Sequence, residues 1–451
     1  MNKKRGSFSS RLGFVLAAAG SAVGLGNLWR FPYLAAKYGG GTFLVIYLIL
    51  TLTFGYTLMT AEITLGRKTR LSAVGAFGKL HNHGNMIGLL ACLVPIIIVP
   101  YYCVIGGWIL KYFSVFVTSG AKTAAASNYF SNFISNSWQP VVLMIIFLTI
   151  TALIVSFGVK QGVETASRFM MPILVILSIS IAIYSATRPG AWEGVKYYIT
   201  PNLSDVSVNT LLGALGQLFY SLSLAMGIMI TYGSYMMDDA DIEKSVAQIE
   251  VFDTGIAFLA GLMIIPAVFA FSGGDQSALN AGPSLMFITM PQVFASMNFG
   301  SLIGAVFFLL VIFAALTSSI SLFETVVSIL CDKFHLSRKK SCLTTYVCTI
   351  ALGMLSALGY GVLSGIKPLN MNFLDFFDFI SNSLLMPIVA LLTCIFLGWI
   401  VDINVITDEV KKNSTFKREK IFRVMLRWIA PIFLIAILIS SILSTLGIIK
   451  I

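Results

Sequence analysis

Charge is what this chain has least of. Asp, Glu, Lys and Arg make up only 11% of its 451 residues, less than half of the roughly one quarter found in soluble domains. That shortage excludes an ordinary soluble globule. Histidine is almost absent, and His81, His83 and His335 fall between apolar runs without metal-ligand spacing. The six cysteines, Cys92, Cys103, Cys331, Cys342, Cys348 and Cys394, lie in or beside apolar runs. They read as packing residues, because no pair falls in a predicted outside loop to form a disulfide framework. Also missing are a nucleotide-binding glycine loop after a strand, paired catalytic carboxylates and a Ser-His-Asp set. Nor is there the basic patch with interleaved aromatics that nucleic-acid binding needs. An enzyme is therefore not expected, and neither is a nucleic-acid partner.

What fills the chain instead is hydrocarbon, with 57% hydrophobic residues. Eleven runs are long enough to cross a bilayer: 12–36, 42–66, 85–118, 138–157, 166–187, 209–237, 247–272, 297–331, 341–362, 372–400 and 423–449. The fold class predicted is an all-α polytopic membrane protein. Several runs exceed the bilayer's need, which implies tilt or extension beyond it. Lys and Arg set the orientation. With the N-terminus inside, the inner loops hold Lys3, Lys4, Arg5, Arg67, Lys68, Arg70, Lys333, Arg338, Lys339, Lys340 and the cluster from Lys411 to Arg423. The other face has few, among them Lys122, Arg188, Lys196 and Lys367. The N-terminus is therefore expected in the cytoplasm and the C-terminus outside, and the net charge of +11 reflects topology and contact with anionic lipid. Lys3-Lys4-Arg5 before an apolar run resembles a signal peptide, but the run continues through Arg30, so an uncleaved first helix is expected.

Residues 17–32 (AAAGSAVGLGNLWRFP) interrupt the first run. Gly20, Gly24 and Gly26 weaken the helix, each costing about 1 kcal/mol relative to Ala, and Asn27 and Arg30 put an amide and a charge at membrane depth. Backbone freed from helical bonding in lipid must find protein, water or an ion. The sixth run repeats the oddity, with small and hydroxyl residues from Gly216 to Gly227. Two interrupted helices, five spans apart and oppositely directed, point to inverted repeats with a site between them. Residues 1–187 and 209–400 are the predicted halves, and 423–449 is an additional helix. The plainer alternative is that these glycines only permit close helix packing.

Polar groups inside the runs supply candidates for binding. In the eighth run Thr317 and Ser321 share a face, with Ser318 beside them. Such hydroxyls often back-bond to the preceding turn; together with free carbonyls they would describe a hard-cation site. Asp253 is a carboxylate in mid-run, which is costly and so a functional candidate. Arg30, Asp375 and Asp378 form a charged set near the outer ends of the first and tenth runs. Glu62 and Glu324 read as structural polar groups, while Arg5 and Asp332 lie near the inner surface.

The motifs resemble a known family. Arg11-Leu12-Gly13-Phe14, then Gly24-Leu25-Gly26-Asn27-Leu28-Trp29-Arg30-Phe31-Pro32-Tyr33 and Gly39-Gly40-Gly41, are similar to the first helix of the neurotransmitter:sodium symporters. Ile230-Thr231-Tyr232-Gly233-Ser234-Tyr235 and Leu316-Thr317-Ser318-Ser319-Ile320 fit the same family. The resemblance covers essentially the whole chain, and eleven spans look like the bacterial, amino acid-transporting branch. It implies a 5+5 inverted-repeat (LeuT-like) fold with unwound helices 1 and 6, in the bacterial cytoplasmic (inner) membrane.

The resemblance also implies two sodium ions and a substrate pocket. Sodium site one would use the Ala22 carbonyl, the Asn27 side chain, Ser221 and Asp253, completed by the substrate's carboxylate. Sodium site two would use the carbonyls of Gly20, Val23 and Ala314 and the hydroxyls of Thr317 and Ser318. Oxygen-only ligands suit a hard cation. The substrate carboxylate would meet amides near Leu25 and Gly26, at the positive end of a half-helix, and the Tyr102 hydroxyl. Its ammonium would meet carbonyls near Ala22 and Tyr220, with Ser21, Ser221 and Ser223 close by. Ile98, Tyr220, Met226, Ser318 and Leu322 would line the side-chain pocket. Tyr220 resembles a lid, Arg30 with Asp378 an outer gate, and Arg5 with Asp332, Phe8, Ser234 and Tyr235 an inner gate.

Three departures from the family pattern shape the expectation. Position 21 is Ser where other members carry Asn, and its polar contact is open. Gly24 stands where monoamine carriers place Asp, which favours a substrate bringing its own carboxylate. Asp253 stands where chloride-dependent members have Asn, so a fixed charge would replace chloride. The expectation is a sodium-coupled importer of a neutral hydrophobic, preferably aromatic, amino acid, working by alternating access. Met226 is adaptable enough to pack against bulky or aromatic groups. A receptor, a channel, an intramembrane enzyme and a proton-coupled carrier using Asp253 are the alternatives.

Overall fold

The computed structural model describes residues 6–273 and 284–445. Among the described residues there is no strand, and nine continuous helices are long and apolar enough to span a membrane. A bent pair, counted as one, raises the number to ten. A chain in lipid has to satisfy its backbone within each segment, which leaves helix as the local solution for these runs. In chain order the helices are α1 (Arg11–Ala22) and α2 (Gly26–Lys37), which form the bent pair, α3 (Gly41–Thr69), α4 (Gly84–Thr118), α5 (Gln139–Ser156) and α6 (Val159–Ala186). Then follow α7 (Val208–Ser221), α8 (Ile228–Tyr235), α9 (Ile242–Ser272), α10 (Gly300–Phe334), α11 (Arg338–Leu358), α12 (Phe373–Ile400) and α13 (Glu419–Ser444). The sixth apolar run is thus split into α7 and α8, and neither half is long enough to cross alone.

Burial separates centre from rim. The most apolar stretches of α4 and α10 are 72% buried, whereas that of α13 is 22% buried and that of α5 is 33% buried. From Gly13 to Trp29 every residue is buried, so the broken first span lies on the axis of the bundle. The interruption between α1 and α2 bends the chain by 52°. Val23 is extended (φ −72°, ψ 98°), and the freed Gly24 N–H donates to the Asn27 Oδ1 at 3.1 Å. Gly26 is needed for a close approach: a Cβ there would lie 2.3 Å from the Tyr220 ring.

The interruption between α7 and α8 is sharper. Ser223 (φ 53°), Ala225 (φ 58°) and Gly227 (φ 71°) all adopt left-handed backbone, which costs on the order of 1 kcal/mol or more for each non-glycine. Two long-range bonds hold it. The Ser223 hydroxyl donates to the Ser21 carbonyl at 2.9 Å, and the Ala225 N–H donates to Glu62 Oε1 at 2.7 Å. Glu62, expected as a structural polar group, therefore props open the break in the sixth run from α3.

Candidate functional site

The two interruptions meet at the bundle axis. Behind them α9 presents Asp253, which is fully buried. Asn27 Nδ2 donates to its Oδ1 at 2.8 Å and to its carbonyl at 3.2 Å. The Ser221 hydroxyl lies 2.8 Å from Oδ1 and 3.1 Å from Oδ2, and the Tyr47 hydroxyl donates to Oδ2 at 3.3 Å. Asn27, Ser221 and Asp253, which the family resemblance places in one site, are joined by hydrogen bonds, and Ala22, the last residue of α1, is buried beside the cavity. Tyr47 carried no signal in the sequence, being one more aromatic in an apolar run. Gln217 went unassigned as well; its Nε2 donates to the Gly26 carbonyl at 3.0 Å.

On the other side α10 faces the end of α1. The Ser318 hydroxyl lies 3.1 Å from the Ser21 carbonyl, 3.4 Å from that of Val23 and 3.5 Å from that of Gly20. One proton cannot serve three carbonyls, so the cluster has more acceptors than donors. The plain back-bonding alternative holds for its neighbours: Thr317 turns to the carbonyls of Phe313 and Ala314, both at 3.0 Å, and Ser321 to Thr317 at 2.9 Å. Gly20, Val23, Ala314, Thr317 and Ser318 nevertheless form one group, for a Cβ on Gly20 would lie 3.1 Å from Thr317 Cβ. Among the described residues no three His, Cys, Asp or Glu side chains gather. The oxygens gathered here are neutral carbonyls, hydroxyls and an amide, with the Asp253 carboxylate beside them.

Between the two clusters is a small cavity of about 30 Å³. Ser21, Ala22, Leu25, Gly26, Ile98, Tyr102, Tyr220, Ser223, Met226, Ser318 and Leu322 line it, together with Gly24 and Ile228. Of the predicted pocket residues Ser221 alone is absent, since its hydroxyl serves Asp253. Ser21 finds a polar contact at 3.2 Å to the Ser223 hydroxyl. The Tyr102 hydroxyl is buried without a hydrogen-bond partner, a costly condition that a ligand with an acceptor would relieve. A side chain at Gly24 would displace the Ser318 hydroxyl, as its Cβ would lie 2.6 Å from Ser318 Oγ.

Tyr220 lines both this cavity and a larger one of about 360 Å³. Arg30, Asp375 and Asp378 line the larger space. The expected Arg30–Asp378 gate is not a direct ion pair here. Arg30 sits 5.5 Å from the Tyr220 ring centre, while Asp378 accepts from Tyr101 at 3.2 Å and Asn382 at 2.5 Å. The intervening cavity keeps the two charges apart.

At the opposite end, Arg5 of the expected inner gate lies outside the described residues. Phe8 donates its N–H to the Tyr235 carbonyl at 3.1 Å and packs edge-on against Tyr232 and Tyr235 at 5.6 Å and 6.2 Å. The Ser234 hydroxyl bonds the Thr231 carbonyl at 2.5 Å, and Asp332 accepts the Ser72 N–H at 2.7 Å. The sequence missed the partner of Glu324. This fully buried carboxylate pairs with Arg338 and accepts from the Tyr235 hydroxyl at 2.8 Å. Both charges were visible in the sequence, but nothing there joined them.

Comparison with known proteins agrees with this arrangement. A model of the sodium:neurotransmitter symporter family matches residues 5–133 and 122–448. An uncharacterized sodium-dependent transporter of Bacillus subtilis is 36% identical over 96% of this chain and 97% of its own length. One from Methanocaldococcus jannaschii is 34% identical over 96% of this chain and 90% of its own length. The crystal structure of MhsT in complex with L-phenylalanine is similar with a TM-score of 0.87 and 37% identity, over 97% of this chain and all of that one. With its two broken helices meeting at buried oxygens and a family match along nearly its whole length, the chain belongs to the sodium:neurotransmitter symporter family.

Proposed function

We propose that this chain is a sodium-coupled symporter that imports a neutral hydrophobic, preferably aromatic, amino acid by alternating access and without chloride. The observation that carries the reading is the pair of oxygen clusters flanking one cavity at two helix breaks. The first sodium would sit among the Ala22 carbonyl, Asn27, Ser221 and Asp253, its shell closed by the substrate carboxylate. Binding of each would then depend on the other. The second would sit among the carbonyls of Gly20, Val23 and Ala314 and the hydroxyls of Thr317 and Ser318, where acceptors outnumber protons. The buried, unpartnered Tyr102 hydroxyl would donate to the substrate carboxylate beside the amides of Leu25 and Gly26. Ile98, Met226 and Leu322 would hold the side chain, with Tyr220 as lid. The phenylalanine of the MhsT structure favours an aromatic substrate.

Chloride independence follows from Asp253. A carboxylate receiving Asn27, Ser221 and Tyr47 would supply permanently the negative charge that a bound anion supplies elsewhere. Eleven spans would place 1–187 and 209–400 as inverted repeats, with 423–449 added. The N-terminus would face the cytoplasm and the C-terminus the outside of a bacterial inner membrane. Sodium and substrate move the equilibrium only by binding one state more tightly than another. The ordered helix breaks would be what both ligands favour, and loss of the second sodium would free α1 to open the inner side.

The test is uptake of labelled phenylalanine, tryptophan and leucine into proteoliposomes under a sodium gradient, with gluconate in place of chloride. Accumulation that needs sodium and survives without chloride is expected. In the Asp253→Asn protein sodium affinity should fall at least about tenfold, the equivalent of one charge-assisted hydrogen bond. Binding without accumulation under any gradient would overturn symport; loss of uptake with chloride would overturn the role given to Asp253.

A further inference from the structure

A third cavity holds neither of the oxygen clusters. A space of about 570 Å³ lies between α3 and α9, closed at one end by Arg418 just before α13. Its walls are apolar and its rim faces away from the bundle: Val251 is 72% exposed and Leu48 46% exposed. In a spanning protein those side chains meet lipid. The floor is different. Both carboxylate oxygens of Glu250, the Thr254 hydroxyl and Arg418 Nη1 are buried there without a hydrogen-bond partner. Glu250 and Arg418 are 3.8 Å apart, near enough to attract but too far to share a hydrogen bond. The Arg418 guanidinium lies 4.7 Å from the Tyr56 ring centre, and its backbone N–H donates to Glu243 Oε1 at 3.3 Å.

We propose that this cleft is a binding site for an aminophospholipid. A buried carboxylate without a hydrogen-bond partner and a guanidinium whose Nη1 has none match a headgroup carrying one primary ammonium and one phosphate. The ammonium donates to Glu250 and the phosphate accepts from Arg418, while an acyl chain covers Leu48, Val251 and Phe258. Such charge-assisted bonds are the strong ones. A choline headgroup has the same charges but no N–H to donate. A glycerol headgroup has no cation and sets its phosphate beside the Glu250 carboxylate. Water alone could satisfy the polar floor, but would leave the apolar walls wet. The site also touches the transport machinery, because Tyr47, which bonds Asp253, forms part of the same wall.

Native mass spectrometry of the purified full-length protein, titrated with phosphatidylethanolamine, phosphatidylcholine and phosphatidylglycerol of identical acyl chains, tests this. The wild type is expected to retain phosphatidylethanolamine about tenfold better than either competitor. Glu250→Gln keeps the shape and should erase that preference; Val251→Trp fills the cleft and should abolish retention of the bound lipid. Arg418→Gln, at the half-exposed edge, gives a second variant and should weaken all phospholipids. Thermal unfolding checks that each variant is folded. Equal retention of the three lipids by the wild type overturns the proposal, as does a preference that survives both Glu250→Gln and Val251→Trp.

Discussion

The two ends of the central bundle are built differently. At the Arg30 end a cavity of about 360 Å³ separates Arg30 from Asp378, and the aspartate is held instead by Tyr101 and Asn382. At the Phe8 end rings and charges are interlocked. Phe8 packs against Phe14, Tyr232 and Tyr235. The Ser9 N–H and hydroxyl reach Glu164 at 2.8 Å and 2.6 Å, and Arg168 pairs with the same carboxylate at 2.7 Å. Arg338 closes on Glu324, and the buried Arg67 pairs with Glu409 at 3.0 Å. Closing the Arg30 end requires only that two charges approach across a cavity. Opening the Phe8 end means taking contacts from the buried carboxylates Glu164 and Glu324, which have already lost their water, and that is the more expensive change.

Three substitutions test that asymmetry. Arg338→Ala should have the largest effect, because it strands the fully buried Glu324. Removing one partner of a buried pair costs about 3–5 kcal/mol, visible as a lower thermal unfolding midpoint in detergent. Phe8→Ala should come next. It removes three edge-on ring contacts of about 0.5–1.5 kcal/mol each. The readout is faster alkylation, from the Phe8 side, of a cysteine introduced into the cavity wall by Ile228→Cys. Asp378→Asn should be mildest, since Tyr101 and Asn382 still meet the new amide. Its stability change should stay below about 1 kcal/mol, and its effect should fall on the KM for uptake. An Asp378→Asn protein less stable than Arg338→Ala would break the comparison.

Much of this was legible in the sequence wherever local chemistry and distant packing pointed the same way. Gly24, Gly26 and Asn27 announce a break because no continuous helix in lipid gains from them, and a break does occur there. Asp253 stands out because a carboxylate in the middle of an apolar run demands partners. The partners were harder. Tyr47 is 206 residues from Asp253, and Glu62 is 163 from Ala225; no periodicity links such positions. Arg30 and Asp378 were expected to form a gate together, and the cavity between them, which keeps them apart, belongs to neither helix.

The sequence by itself determined a membrane protein with two interrupted helices and oxygen-bearing side chains gathered in a few runs. Its physical reason is local: lipid offers no hydrogen bonds, so each segment has to declare in its own residues whether it stays helical. Only the tertiary structure decided that Ser318 reaches across to three carbonyls while Thr317 turns back on its own helix. It gave the Ser221 hydroxyl its bond to Asp253 at 2.8 Å, and it alone left Glu250 and Arg418 facing an apolar cleft. Two hydroxyls adjacent on one helix differ only in what the neighbouring helix presents, and that is fixed by packing between segments hundreds of residues apart.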